Sequence, residues 1–167
     1  RGNKKNLSKV LATLKEKLNI KENIKLIESY DVSHLSSRNP LAGQVTYNNR
    51  GKVKDLYKIY NISSRNSGND IGSMKEVIGR RFAKIGPEST IPSLILIDGG
   101  HTHLKAVRKV LDKLKVEGIY LIAISKGARR KADMDSIHKE EGGTLAIDKR
   151  NISHLFLQEI RDETHRF

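Results

Sequence analysis

Leu94-Ile95-Leu96-Ile97-Asp98-Gly99-Gly100 decides how this chain reads. Four consecutive aliphatic residues predict a strand buried on both faces, as in the parallel centre of an α/β sheet. The run ends in a carboxylate and two glycines, so Asp98 is placed at the carboxyl end of a core strand. In open α/β sheets ligands and reacting groups gather at that edge. Taken alone, Asp98-Gly99-Gly100 reads first as a turn with a helix-capping aspartate.

Working outward, the same pattern returns. Ile24 to His34 is a strand with Asp31 near its end, followed by a polar bend at Ser36–Pro40 and a second run from Leu41 to Tyr47. Asn48-Asn49-Arg50-Gly51 is a hairpin turn, and Lys52 to Ile62 reads as a third strand, which makes an antiparallel meander. Ser63–Gly72 is a polar loop containing Asp70. It leads into Ser73-Met74-Lys75-Glu76, read as a capping box, and a helix over Met74, Val77, Ile78, Phe82 and Ile85 that stops at Gly86-Pro87. After the Asp98 strand comes a helix with Leu104, Val107, Leu111 and Leu114 on its apolar face. Tyr120–Ile124 is a second buried strand, opening into the basic loop Lys126–Lys131. A small hairpin turns at Gly142-Gly143. A last helix from about Asn151 to Phe167 is apolar along Phe156, Ile160 and Phe167, with His154, Arg161 and His165 nearer its other side. Residues 1–22 form a helical lead-in (Leu7, Val10, Leu11, Leu14, Leu18), and 23–167 form the domain proper.

The chain has 167 residues, 37% of them hydrophobic, without any run approaching the ~18 apolar residues of a membrane span. It begins at Arg1 rather than Met, so a piece of a longer protein is expected. No cysteine is present, which excludes disulfides, thiolate metal sites and cysteine nucleophiles and suits the cytoplasm. Thirty-two Lys and Arg against nineteen Asp and Glu give +13. That field favours polyanions, nucleic acid first, and with few aromatics the expected contacts are to the phosphate backbone.

Asp31 and Asp98 converge if their strands are neighbours, with Asp70 ahead of a helix. Carboxylates held together repel, and a hard divalent cation such as Mg²⁺ relieves them while binding waters and phosphate oxygens. An imidazole would complete such a centre. Each of these aspartates also has a plainer reading as a turn former or helix-dipole partner. His165 likewise reads as an ion-pair partner of the last helical turn. His101 and His103 read as an exposed, incidental pair, and His34 as a neighbour able to orient a ligand.

A meander followed by helix-separated strands is the order of the ribonuclease H fold, a mixed sheet flanked by helices. Tyr30-Asp31-Val32-Ser33-His34, Gly68-Asn69-Asp70 with Met74, Arg80-Arg81-Phe82, Leu96–Gly100, Ile124-Ser125-Lys126-Gly127 and Ile160–Phe167 occur in an order and spacing that resembles the carboxyl-terminal endonuclease domain of UvrC, the bacterial excision-repair nuclease. The family usually shows a Lys-Gly-Gln-like run where this chain has His101-Thr102-His103. The resemblance implies a metal-dependent endonuclease using Mg²⁺ or Mn²⁺ that cuts damaged double-stranded DNA 5′ to a lesion and leaves 3′-hydroxyl and 5′-phosphate ends. It works with UvrB and UvrA through segments absent here. It implies Asp31, Asp98 and His165 as metal-binding and catalytic residues and Asp70 as a further acidic catalytic position. Lys126, Arg129, Arg130 and Lys131 are candidates for gripping DNA. The rival readings are a non-catalytic nucleic-acid-binding module of the same fold, or another nuclease of that fold such as a junction resolvase or RNA slicer.

Overall fold

The computed structural model describes residues 3–34, 39–86, 89–126 and 135–167. Its strands are β1 (Leu26–Ser33), β2 (Leu41–Asn48), β3 (Gly51–Lys52), β4 (Lys58–Asn61), β5 (Leu94–Asp98), β6 (Tyr120–Ser125), β7 (Ser136–Lys139) and β8 (Thr144–Ala146). They form one sheet in the order β3-β2-β1-β5-β6-β7-β8, with β4 also paired to β2. β1, β5 and β6 are parallel at its centre, and β2 runs antiparallel to β1. The helices are α1 (Asn3–Lys17), α2 (Asp70–Phe82), α3 (His101–Lys113) and α4 (Ile152–Arg166). This is the expected mixed sheet with a meander on one side and parallel strands at the core.

Two apolar layers sandwich the sheet, and the period-two alternation of strand side chains decides which residue enters which. Ile27 of β1 and Leu94 and Leu96 of β5 join the layer beneath α1 and α4, with Val10, Leu11, Leu14, Leu157 and Ile160. Tyr30 of β1 and Ile95 and Ile97 of β5 face α2 and α3, with Met74, Val77, Leu104 and Val107. Asp31 and Asp98 therefore share a parity with the α4 face.

Three details depart from the sequence expectation. The third strand is not continuous. Its apolar set (Val53, Leu56, Tyr57, Ile59, Tyr60, Ile62) cannot keep one parity, and a 3-10 turn at Lys54–Leu56 absorbs the switch between β3 and β4. The second helix starts earlier than Ser73: Asn69 caps it by accepting from the Gly72 N–H at 2.9 Å. Ser73 is buried inside the helix, and Glu76 reaches back to Ser63 and Asn66. Asp70 thus occupies the first turn of α2, and Ile85 packs beyond its end. Third, Arg161 and His154 on α4 are buried rather than turned outward. The bend at Ser36–Arg38 lies outside the described residues.

α4 is held at its start by Asn151, whose side chain accepts from the N–H groups of Ser153 and His154 at 2.9 and 3.3 Å. Asn151→Ala should cost about 1 kcal/mol in a denaturant titration, with a native m-value. A loss below a few tenths would mean the cap does not hold α4.

Candidate active site

The register between β1 and β5 pairs Tyr30 with Ile97, so Asp31 and Asp98 are the next residues on adjacent parallel strands. Their shared parity turns both carboxylates to the side where α4 crosses. α4 is clamped there by Thr164, whose hydroxyl bonds Ser29 Oγ on β1 at 2.8 Å. Ser29 is two residues before Asp31 on the same face, so this bond sets His165 over Asp31. His165 Nδ1 lies 2.8 Å from Asp31 Oδ2. One ligand atom each from Asp31, Asp98 and His165 lie within 4.8 Å of one another. The side chains grade outward from 14% exposed at Asp31 through 28% at Asp98 to 57% at His165. The cluster is anchored in the sheet and open to solvent.

Its electrostatics fit a cation. Burial first, and then the adjacent Asp98, which shares a hydrogen bond with it and repels its charge, raise the Asp31 carboxyl from 3.8 to about 6, with His165 pulling the other way. Two acids and an imidazole at this spacing, with one acid held to a raised pKa by burial and by the other's charge, are a donor set suited to a hard divalent ion. A raised carboxyl gives the metal-free fold a proton that the unfolded chain has released. Its stabilising effect is therefore complete below pH ~4 and lost as pH rises through 6. Between pH 5 and 7 in EDTA, native protein should lose more stability than Asp98→Asn, in which the repulsion is absent but the burial remains, by something under about 1 kcal/mol. Thermal unfolding of both across that range reads the difference. Parallel curves would show that the two carboxyls do not interact.

Asp70 stands apart from the three-residue cluster and pairs with His34. His34 thus serves Asp70, not Asp31. Sequence reasoning missed two residues. Arg161, 7% exposed, places Nε 3.8 Å from Asp98 Oδ1 and Nη1 3.4 Å from Asp135 Oδ2. Its Nε has no hydrogen-bond partner among the described residues. This guanidinium is the counter-charge behind Asp98. His103, half-buried, accepts from the Gly100 N–H through Nδ1 at 3.4 Å. Burial depresses its pKa, while Asp70 and Asp98 both pull it upward, so it lies within electrostatic reach of both aspartates. Its position in the first turn after Asp98 was the available signal. His101 is also half-buried, edge-on to His138 with ring centres 4.9 Å apart. The two histidines are not the exposed pair the sequence suggested. Lys126 is exposed just past β6; Arg129, Arg130 and Lys131 lie outside the described residues.

A mixed sheet with a parallel centre, an antiparallel meander and two strand-end aspartates meeting a helical histidine defines a ribonuclease H-like domain. Residues 15–167 match the family model described as the UvrC RNase H endonuclease domain. The chain belongs to that family of endonuclease domains. It is 34% identical over 152 residues to UvrABC system protein C of Hahella chejuensis, covering 90% of this chain and 25% of that protein. The corresponding protein of Pseudomonas fluorescens strain Pf0-1 is 35% identical over 170 residues, covering 99% and 28%. The chain therefore spans about a quarter of the length of these curated relatives. Among solved structures, human ENDOV aligns with a TM-score of 0.46 at 11% identity, over 96% of this chain and 97% of that one. No helix among the described residues is long and apolar enough to cross a membrane.

Proposed function

We propose that this domain hydrolyses a DNA phosphodiester with the help of Mg²⁺ or Mn²⁺. We further propose that, as part of a longer bacterial cytoplasmic protein, it makes the 5′ incision beside a lesion in nucleotide excision repair. The observation that carries this reading is the meeting of Asp31, Asp98 and His165, from β1, β5 and α4, at a solvent-open sheet edge. Those three residues would hold the ion. When bound, it would supply charge stabilisation for the phosphate and lower the pKa of a coordinated water.

The chain's own groups do the rest. Arg161 holds Asp98 against the pull of its neighbours. The Thr164–Ser29 bond keeps His165 in register. Asp70, oriented by His34, is proposed to position the attacking water or support the metal from α2. Water attacks phosphorus in line, the P–O3′ bond breaks, and the products are a 3′-hydroxyl and a 5′-phosphate. His165, exposed and adjacent to the carboxylates, either serves as the third ligand or, if the two aspartates hold the ion alone, carries the proton between water and solvent. Lys126 with Arg129, Arg130 and Lys131 is proposed to grip flanking phosphates.

The test is nicking of a lesion-bearing duplex with a break already on the 3′ side of the damage. It uses UvrA, UvrB, Mg²⁺ or Mn²⁺, and this domain in the context of the longer protein. Native protein should nick 5′ to the lesion, and Asp98→Ala and His165→Ala should not, with folding and DNA binding intact. Undiminished nicking by both variants would place the site elsewhere. Parallel assays on RNA and four-way junctions would expose a slicer or resolvase, and no cutting of any substrate would favour a binding module.

A further inference from the structure

On the sheet face opposite α1 and α4, the helices α2 and α3 leave a groove of about 630 Å³ between them. Arg65, Lys75, Lys109 and Lys113 line it, all exposed. None of the four has an ion-pair partner among the described residues, whereas arginines elsewhere do, as Arg108 with Glu140 and Arg166 with the buried Glu163. The one carboxylate of the lining, Glu76, is turned to other work. It accepts from Ser63 N and Oγ at 3.1 and 3.0 Å and from Asn66 Nδ2 at 2.8 Å, and it faces Arg80 at 3.4 Å. The groove is open because α2 presents glycine there: a methyl built on Gly79 would only just touch Val110, at 3.9 Å. Four cations lining one groove set up a positive potential along it that attracts a polyanion.

Placement says which anion. The lining includes Asn69, which caps α2 and immediately precedes Asp70, so the groove reaches the helix end that carries that aspartate. Lys109 and Lys113 stand one helical turn apart, ~6 Å along the axis. That is close to the rise of two phosphates on one strand of a duplex, ~3.4 Å each. We propose that the α2–α3 groove is a phosphate-backbone track for nucleic acid that passes the Asp70 end of α2. The inference rests on the reading of the domain as a DNA-cleaving one, and it adds a second contact tract beyond the Lys126–Lys131 segment. An acidic protein segment would satisfy the same charges but would have no reason to end beside Asp70.

The experiment is a titration of a fluorescently labelled DNA duplex with this chain in EDTA, where cleavage is prevented, at salt from about 50 to 200 mM. The triple variant Lys75→Gln/Lys109→Gln/Lys113→Gln is compared with Lys9→Gln/Lys17→Gln/Lys54→Gln, which removes the same charge from the far side of the fold. Each phosphate contact contributes ~0.7–0.9 to the slope of log K against log salt, so the groove variant should lose about 2 and bind at least tenfold more weakly at low salt. The control should change the slope by less than half as much. Equal losses in both variants, an unchanged groove variant, or no binding by native protein would overturn the proposal. Asp98→Asn, run alongside, keeps the two readings separable. It should bind with the native slope in EDTA and fail to cut in the metal-containing nicking assay; if it cuts there, the active-site assignment fails while the groove result stands on its own.

Discussion

Asp98→Asn is expected to abolish incision, by at least roughly 10³-fold, while making the metal-free domain more stable. The two effects have one cause. Asp98 sits beside Asp31 on the neighbouring strand, within a cluster whose ligand atoms lie within 4.8 Å, and its charge helps push the Asp31 carboxyl to about 6. Replacing it by an amide of the same shape removes the repulsion and leaves burial alone to hold the Asp31 carboxyl up, by a smaller amount. On the proposed metal-dependent reading it also deletes one of the two carboxylates that would hold the ion, and losing a single preorganised electrostatic group already costs ~10²–10³ in rate. A merely structural aspartate would show the opposite pattern, with lower stability and partly retained activity. Unfolding temperature with and without Mn²⁺ gives the second readout: native protein should be stabilised by the ion and the variant hardly at all. A variant stabilised by Mn²⁺ as much as the native chain would remove Asp98 from the metal site.

Much of this centre could be seen in the residues alone, and the reason is parity. Leu94–Ile97 and Ile24–Tyr30 are hydrophobic enough to be central strands, and each delivers an aspartate just past its buried run. Alternation then fixes the face. His165 was harder, because an exposed histidine three residues from an acid in a terminal turn has a plain local explanation; it came from the resemblance, and only the packing of α4 brings its Nδ1 to Asp31. Arg161 was misjudged for the opposite reason. Helical patterning treats arginine as outward-facing, yet here the layer beneath α4 contains the carboxylates of Asp98 and Asp135, and a buried guanidinium is what they require. The same blindness applies to Glu28, a carboxylate in the middle of a hydrophobic strand. Its partner is fifty-three residues away and has no local sequence sign.

That pair leads to the largest stability effect expected. Glu28 on β1 is 2% exposed, and Arg81 on α2 meets it with two bonds, Nε to Oε1 at 3.2 Å and Nη2 to Oε2 at 2.8 Å. Arg81 Nη2 also donates to the Thr90 carbonyl at 3.0 Å, and the Tyr30 hydroxyl donates to Glu28. Arg81→Met keeps most of the apolar stem but leaves Glu28 charged and buried opposite a thioether. The expected loss is about 3–5 kcal/mol, the cost of an uncompensated interior charge. At ~2–4 °C per kcal/mol for a domain of this size, the melting temperature should fall by roughly 10 °C. The double variant Glu28→Gln/Arg81→Met should recover much of that loss, because the penalty lies in the orphaned charge rather than in the missing attraction. Arg81→Lys should fall between, since an ammonium cannot reproduce the two-pronged contact. The consequence reaches function through geometry: β1 carries Asp31 three residues beyond Glu28, and α2 carries Asp70 on the same helix as Arg81. The ion pair is thus the buried bolt between the two elements that bring acids to the site. At a temperature where Arg81→Met remains folded, incision should persist, whereas Asp98→Asn stays inactive at every temperature. A cycle in which the double variant is no more stable than Arg81→Met would show that the cost is lost packing against Phe82, whose ring centre lies 4.6 Å from the guanidinium carbon, and not the stranded carboxylate.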